Sequence, residues 1–211
     1  IMASEPKRNP LTDHLLTPEN SVLIVIDYQQ EMLDNVRSID QERLTNNVVG
    51  LVKIAKAFGV PTIFSTVGVG LGFNRDTITG VRDILPDVPS YDRTSLNGWE
   101  DIEMKAAVKA SGRRKLIMSG LWTGGCPAFT TLDALNDGFE IYAVSDAMGE
   151  TSADAHERAM QRMIQAGATP LTWGVVLAEL QRDYNRTDTL GDVVEVLGTH
   201  LFNQATEPVA V

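Results

Sequence analysis

The sequence is nearly without cysteine. Cys126 stands alone among 211 residues, so no internal disulfide is possible. A chain without disulfides fits a reducing compartment, which makes the cytoplasm the expected location. Positive charge is also short: 18 lysines and arginines face 28 aspartates and glutamates, a net charge of −10 at pH 7. Nucleic acid and anionic membrane surfaces both favour a basic face, so neither is an expected partner. No apolar run approaches the ~20 residues that cross a bilayer. Residues 1–10 are polar and lack the apolar stretch of a secretory leader. The remaining composition, 43% apolar and 22% charged, reads as an ordinary globular chain.

The run Val22-Leu23-Ile24-Val25-Ile26-Asp27 is β-branched and continuous. Such a run marks a strand buried on both faces of a parallel sheet. Apolar residues at helical spacing predict a helix over 41–58, closed by Gly59. Strands follow at 61–66, 116–120, 139–145 and 169–172. Helices are predicted at 100–111, 127–136, 153–166 and 173–183. Residues 67–90 read as an active-site loop with a short helix near 78–84. Strands alternating with helices imply a Rossmann-like α/β fold: three α/β/α layers around a mostly parallel sheet. No linker or internal repeat divides the chain. The expected organisation is an arm at 1–20, one domain at 21–184 and an extension at 185–211, with one short helix at 192–197. That extension reads equally as an oligomer contact or a frayed tail.

Ligands of open parallel sheets bind at the carboxyl ends of the strands. Asp27 closes the first strand, Arg93 lies in a loop before the strand 116–120, and Cys126 follows that strand. Gly124-Gly125 precedes the cysteine and Pro127 follows it, so Cys126 is expected at a helix N-terminus. There the dipole and free N–H groups are expected to lower the thiol pKa and hold an oxyanion. The competing reading makes Cys126 a small buried hydrophobe. Asp27 reads either as a turn cap or as a desolvated general base, and Arg93 by itself reads as one more solvated cation.

Taken together, the chain resembles the isochorismatase-like cysteine hydrolases over residues 20–183. The resemblance rests on VLIVIDYQ at 22–29, GVPTIFST at 59–66, DRTSLNGWED at 92–101, LIMSGLWTGGCP at 116–127, FEIYAVSDAMG at 139–149 and QAGATPLTWG at 165–174. Asn97-Gly98-Trp99 and Thr172-Trp173 place it nearest the YcaC-like branch. The resemblance implies a triad of Asp27, Arg93 and Cys126, with Arg93 in the place of the usual lysine. A guanidinium stays charged at any working pH, so it cannot shuttle a proton. The resemblance also implies a cis peptide between Leu121 and Trp122. Gly124 stands where many relatives carry aspartate, which removes a carboxylate and widens the site. The metal-binding relatives use an Asp-x-His element and a further histidine. His14, His156 and His200 lie far apart and outside 67–90, so neither a metal nor any other cofactor is expected.

The implied chemistry is hydrolysis of a small amide-like C–N bond through a thioester on Cys126. Backbone N–H groups of Trp122 and Cys126 hold the oxyanion. Gln29, Asn97, Trp99 and Thr123 are the expected substrate contacts, and Trp173 reaches either the site or a subunit contact. The alternative is a degenerate or redox-sensing thiol protein on the same fold. The family also implies a homo-oligomer, from dimer to octamer, with contacts expected at 121–130 and in the extension.

Overall fold

The computed structural model describes residues 8–202. The outer ends of the expected arm and extension, 1–7 and 203–211, lie outside the described residues. In chain order the elements are β1 (Ser21–Ile26), α1 (Gln30–Leu33), α2 (Gln41–Ala57), β2 (Thr62–Val67), α3 (Thr79–Arg82), β3 (Ser90–Arg93) and α4 (Ile102–Ala110). They continue as β4 (Lys115–Leu121), α5 (Cys126–Asn136), β5 (Glu140–Gly149), α6 (Ala153–Ala166), β6 (Thr169–Leu171), α7 (Trp173–Gln181) and α8 (Thr187–Val196). A π-helical turn, Leu197–Leu201, follows α8.

The six strands form one sheet in the order β3-β2-β1-β4-β5-β6. Every pairing is parallel. All six residues of β1 are buried because β1 lies at the centre, with strands on both sides and helices on both faces. Side chains alternate along a strand. Leu23 and Val25 therefore join one core with α2, α7 and α8, while Val22, Ile24 and Ile26 join a second with α4, α5 and α6. The three-layer expectation holds.

Polar caps define the helix starts. Asp40 accepts the Arg43 N–H at 2.8 Å at the head of α2, and Asp101 accepts that of Met104 at 2.8 Å at the head of α4. Each such cap satisfies one of the orphan donors of a first turn.

The chain runs outward from β1 through β2 to β3, then crosses to β4 and runs outward on the other side. The strand order reverses between β1 and β4, and a crevice opens at their carboxyl ends. Gly120 permits close approach there, because a Cβ at this position would lie 2.6 Å from the Ile26 Cβ.

Three elements depart from the expected pattern. Arg93 is the last residue of β3, not part of a loop. That strand is short, half-exposed and bonded only to β2, so its sequence lacks a buried-strand signature. Strand β5 runs on to Gly149, with a register shift opposite Met118 and Gly120. Helix α8 begins at Thr187, well before the expected 192, and places Val193 and Val196 in the core. The described part of the arm packs against α7: Leu16 is fully buried and its N–H donates to Glu179 Oε2 at 2.7 Å.

Candidate active site

Asp27 follows β1 directly and turns the chain with φ +58°. Few non-glycine residues hold this conformation, and it costs about 1–3 kcal/mol unless surroundings enforce it. Arg93 closes β3 on the same edge of the sheet. Its Nη2 donates to Asp27 Oδ1 at 2.6 Å and Oδ2 at 2.5 Å. Its Nε donates to Ser65 Oγ at 2.8 Å and its Nη1 to the Ser95 carbonyl at 2.5 Å. Both side chains are completely buried.

Cys126 is the first residue of α5, with Pro127 in the first turn. Its thiol interacts with both the Asp27 carboxylate and the Arg93 guanidinium. The structure thus brings together three residues that are far apart in sequence. Burial pushes the Asp27 carboxyl above its ordinary value, and the charge of Arg93 only partly opposes this. Burial, and then the charge of Asp27, push the Cys126 thiol up to about 12, with Arg93 pulling the other way. The expected lowering by the helix terminus is therefore corrected: a desolvated thiol beside a carboxylate keeps its proton.

The turn before α5 contains the Leu121–Trp122 peptide, which is cis. Thr123 N–H donates to the Gly149 carbonyl at 3.0 Å, and Gly125 N–H to that of Trp122 at 2.9 Å. Gly124 N–H donates to Glu150 Oε2 at 2.9 Å. Among the described residues, the N–H groups of Trp122 and Cys126 have no backbone partner. Gly124 itself brings no carboxylate to this turn. Glu150 supplies one from the end of β5, and a Cβ on Gly124 would lie 3.2 Å from its Oε2.

Cys126 lines a cleft of about 420 Å³, whose wall includes Met32, Val67, Leu71, Phe73, Leu96, Trp122 and Glu150. Asp27 and Arg93 lie behind the thiol and do not line it. Leu71, Phe73 and Leu96 are exposed at its mouth. The sequence places an active-site loop at 67–90, which does contribute to this wall, but singles out neither Glu150 nor the loop side chains that face the cleft. The wall comes mainly from 67–74 and 94–96, where no periodicity marked which residues face inward.

The four expected substrate contacts do not line the cleft. Gln29 Nε2 donates to the carbonyls of Arg75 at 2.7 Å and Val67 at 3.2 Å, and its Oε1 accepts the Val67 N–H at 3.0 Å. It staples the loop after β2. Asn97 caps a turn, bonding Asp133 at 2.7 Å and the Trp99 N–H at 3.0 Å. Trp99 is buried in the core, edge-on to Phe139, with its indole N–H on Asp137. Thr123 Oγ1 faces His156 Nδ1 at 2.8 Å. Trp173 is likewise a core residue, bonded to Asn47.

The isochorismatase domain model matches residues 21–174. "Probable hydrolase YcaC" of Escherichia coli is 35% identical over 177 residues, which is 83% of this chain and 84% of that protein. The structure of YcaC from Pseudomonas aeruginosa with hexane-2,5-diol and covalent acrylamide superposes with a TM-score of 0.85. It is 33% identical and covers 90% of this chain and 93% of that one. The Escherichia coli YcaC structure, described as an octameric hydrolase of unknown specificity, has a TM-score of 0.84 at 31% identity, covering 90% and 92%. A central six-stranded parallel sheet, these matched residues and these likenesses have one consequence: the chain belongs to the isochorismatase family of hydrolases, in its YcaC-like branch.

Proposed function

We propose that the protein hydrolyses a small amide-like C–N bond through a thioester on Cys126. The observation that carries this reading is the contact of a cleft-lining thiol with a buried Asp27–Arg93 pair. A thiolate formed by losing a proton to water would leave two anions and one cation in a dry site. Transfer of the same proton to Asp27 leaves the net charge unchanged, so the thiolate forms only at the moment of use.

The steps then balance. Asp27 takes the thiol proton, and Sγ attacks the carbonyl carbon. The oxygen becomes an anion held by the Trp122 and Cys126 N–H groups. The C–N bond breaks as Asp27 returns the proton to the leaving amine. Water then adds to the thioester, the S–C bond breaks, and the thiol regains its proton. Arg93 stays charged throughout and compensates whichever partner is anionic. No metal or other cofactor is needed for any step.

The covalent acrylamide in the Pseudomonas aeruginosa structure supports a nucleophilic group in this family branch, since acrylamide is a small electrophile that adds to thiols through its C=C bond. The redox-sensor alternative has less support. Sulfenylation needs an exposed thiolate, and Cys126 is 3% exposed with its pKa raised. A homo-oligomer is part of the proposal, supported by the octameric Escherichia coli relative and by the exposed Leu71, Phe73 and Leu96. Light scattering tests it, and a monomer at assay concentration would overturn it. For the chemistry, Cys126→Ala is assayed on any amide of a small-amide panel that the wild type turns over. Turnover is expected to vanish, and wild-type turnover in the variant would overturn the proposal.

A further inference from the structure

Among the residues that line the cleft, Glu150 is the one acidic side chain. It is 8% exposed, and its position is fixed from several directions. Oε2 accepts the Gly124 N–H at 2.9 Å and Oε1 accepts the Thr151 N–H at 2.8 Å. Its own N–H donates to Ser38 Oγ at 2.9 Å, and its carbonyl accepts the N–H groups of Arg37 and Ser38. These contacts hold the carboxylate without neutralising it. The cleft wall contains no lysine or arginine. Arg37 turns its guanidinium to the carbonyls of Asp34 and Val36. Arg93 is spent on Asp27, Ser65 and Ser95 behind the thiol. His156 lies across the same turn, where burial lowers its pKa against the opposing charge of Glu150.

Each carboxylate oxygen has two acceptor sites and uses one on the backbone. One remains on each for a ligand donor. Most of the remaining wall is apolar, from Met32, Val67, Leu71, Phe73, Leu96 and Trp122; Thr94 is an uncharged exception, as is Asn74, whose amide donates to the Val67 carbonyl at 2.9 Å. The geometry points to Glu150 as the specificity-determining residue of this cleft. Its carboxylate receives an N–H of a neutral or cationic substrate and turns away substrates that carry a carboxylate. The substrate class is then a small hydrocarbon amide or amino-amide. This assignment rests on the cleft being the one in which Cys126 does its chemistry.

The lone cysteine supplies a direct test, since any thiol adduct is an adduct of Cys126. Intact-mass spectrometry follows alkylation of the full chain by neutral iodoacetamide and by anionic iodoacetate. Each rate is divided by that of the same chain unfolded in urea. Folded protein is expected to favour iodoacetamide by about tenfold beyond the unfolded chain. The bias should persist in salt of about 0.5 M, where the general surface charge is screened. Glu150→Gln keeps an acceptor for Gly124 and should remove most of the bias. An unchanged bias in Glu150→Gln, or none in the wild type, would overturn the assignment.

Should the variant not fold, the wild type is compared with cationic aminoethyl and anionic sulfonatoethyl methanethiosulfonates. The cationic reagent is expected to react faster, and equal normalised rates would overturn the assignment. Failure of the hydrolase reading looks different. There Cys126→Ala retains turnover while the charge bias of wild-type alkylation stands.

Discussion

One nitrogen of Arg93 reaches both carboxylate oxygens of Asp27, at 2.6 and 2.5 Å, in a site where neither side chain is exposed. A buried pair of this kind is costly to break, since removing one partner strands the other's charge. Arg93→Ala is expected to lose about 3–5 kcal/mol of stability in urea denaturation. Arg93→Lys should recover part of it. A loss below about 1 kcal/mol in Arg93→Ala would mean that Asp27 is held by other contacts.

Asp27 raises the thiol pKa while Arg93 lowers it. Asp27→Asn removes the first influence and keeps the second. Iodoacetamide should therefore alkylate Cys126 faster in the variant near pH ~8, while turnover falls at least ~10²-fold for want of a base. Slower alkylation in Asp27→Asn would break the proposed coupling.

The raised thiol also predicts a stability change in alkali. An unfolded thiol titrates near ~8.5, whereas the folded one is pushed up to about 12. The folded state therefore holds this proton more tightly. Its contribution is complete below pH ~8.5 and is lost as pH rises toward the folded value, at up to ~1.4 kcal/mol per pH unit. Other groups titrate in this range, so Cys126→Ser serves as the reference. The wild type should lose stability more steeply than Cys126→Ser between pH ~9 and ~11, and parallel curves would refute this.

The Gln29 side chain makes three hydrogen bonds, all to backbone groups of Val67 and Arg75. Gln29→Leu leaves the part-buried Val67 N–H unpaired and should cost about 1 kcal/mol. Amide hydrogen exchange over 67–77 should quicken, because the loop loses its staple. Unchanged protection there would show that the loop is held from elsewhere, by Glu31 on Arg75 and by Asp92 on Val69 and Gly70.

What was legible follows from how each signal is written. Strand β1 is six buried residues in a row, and its burial on both faces is a local property of the run. The turn into α5 is equally local, because Gly124, Gly125 and Pro127 carry backbone constraints of their own. Strand β3 was read as loop because Ser90, Tyr91 and Asp92 are half-exposed or exposed and serve a single neighbour. Of the expected substrate contacts, Trp99 rests on its aromatic ring and Gln29, Asn97 and Thr123 on polarity near the motifs. Polar side chains near a turn often bond the turn itself, as Gln29 and Asn97 do. Glu150 went unseen because it reaches Gly124 through the irregular extension of β5, a relation no spacing encodes.

The reversal of strand order between β1 and β4 divides the reacting groups between two halves of the chain. Asp27 and Arg93 come with the half that holds β1, β2 and β3, while Cys126 and Glu150 come with the half that holds β4, β5 and β6. The first half supplies both members of the ion pair and no thiol. The second half carries a sulfur with no base beside it. Thiol, base and cation meet only when β4 docks along β1, so the complete set exists only in a chain whose sheet is already closed across its middle.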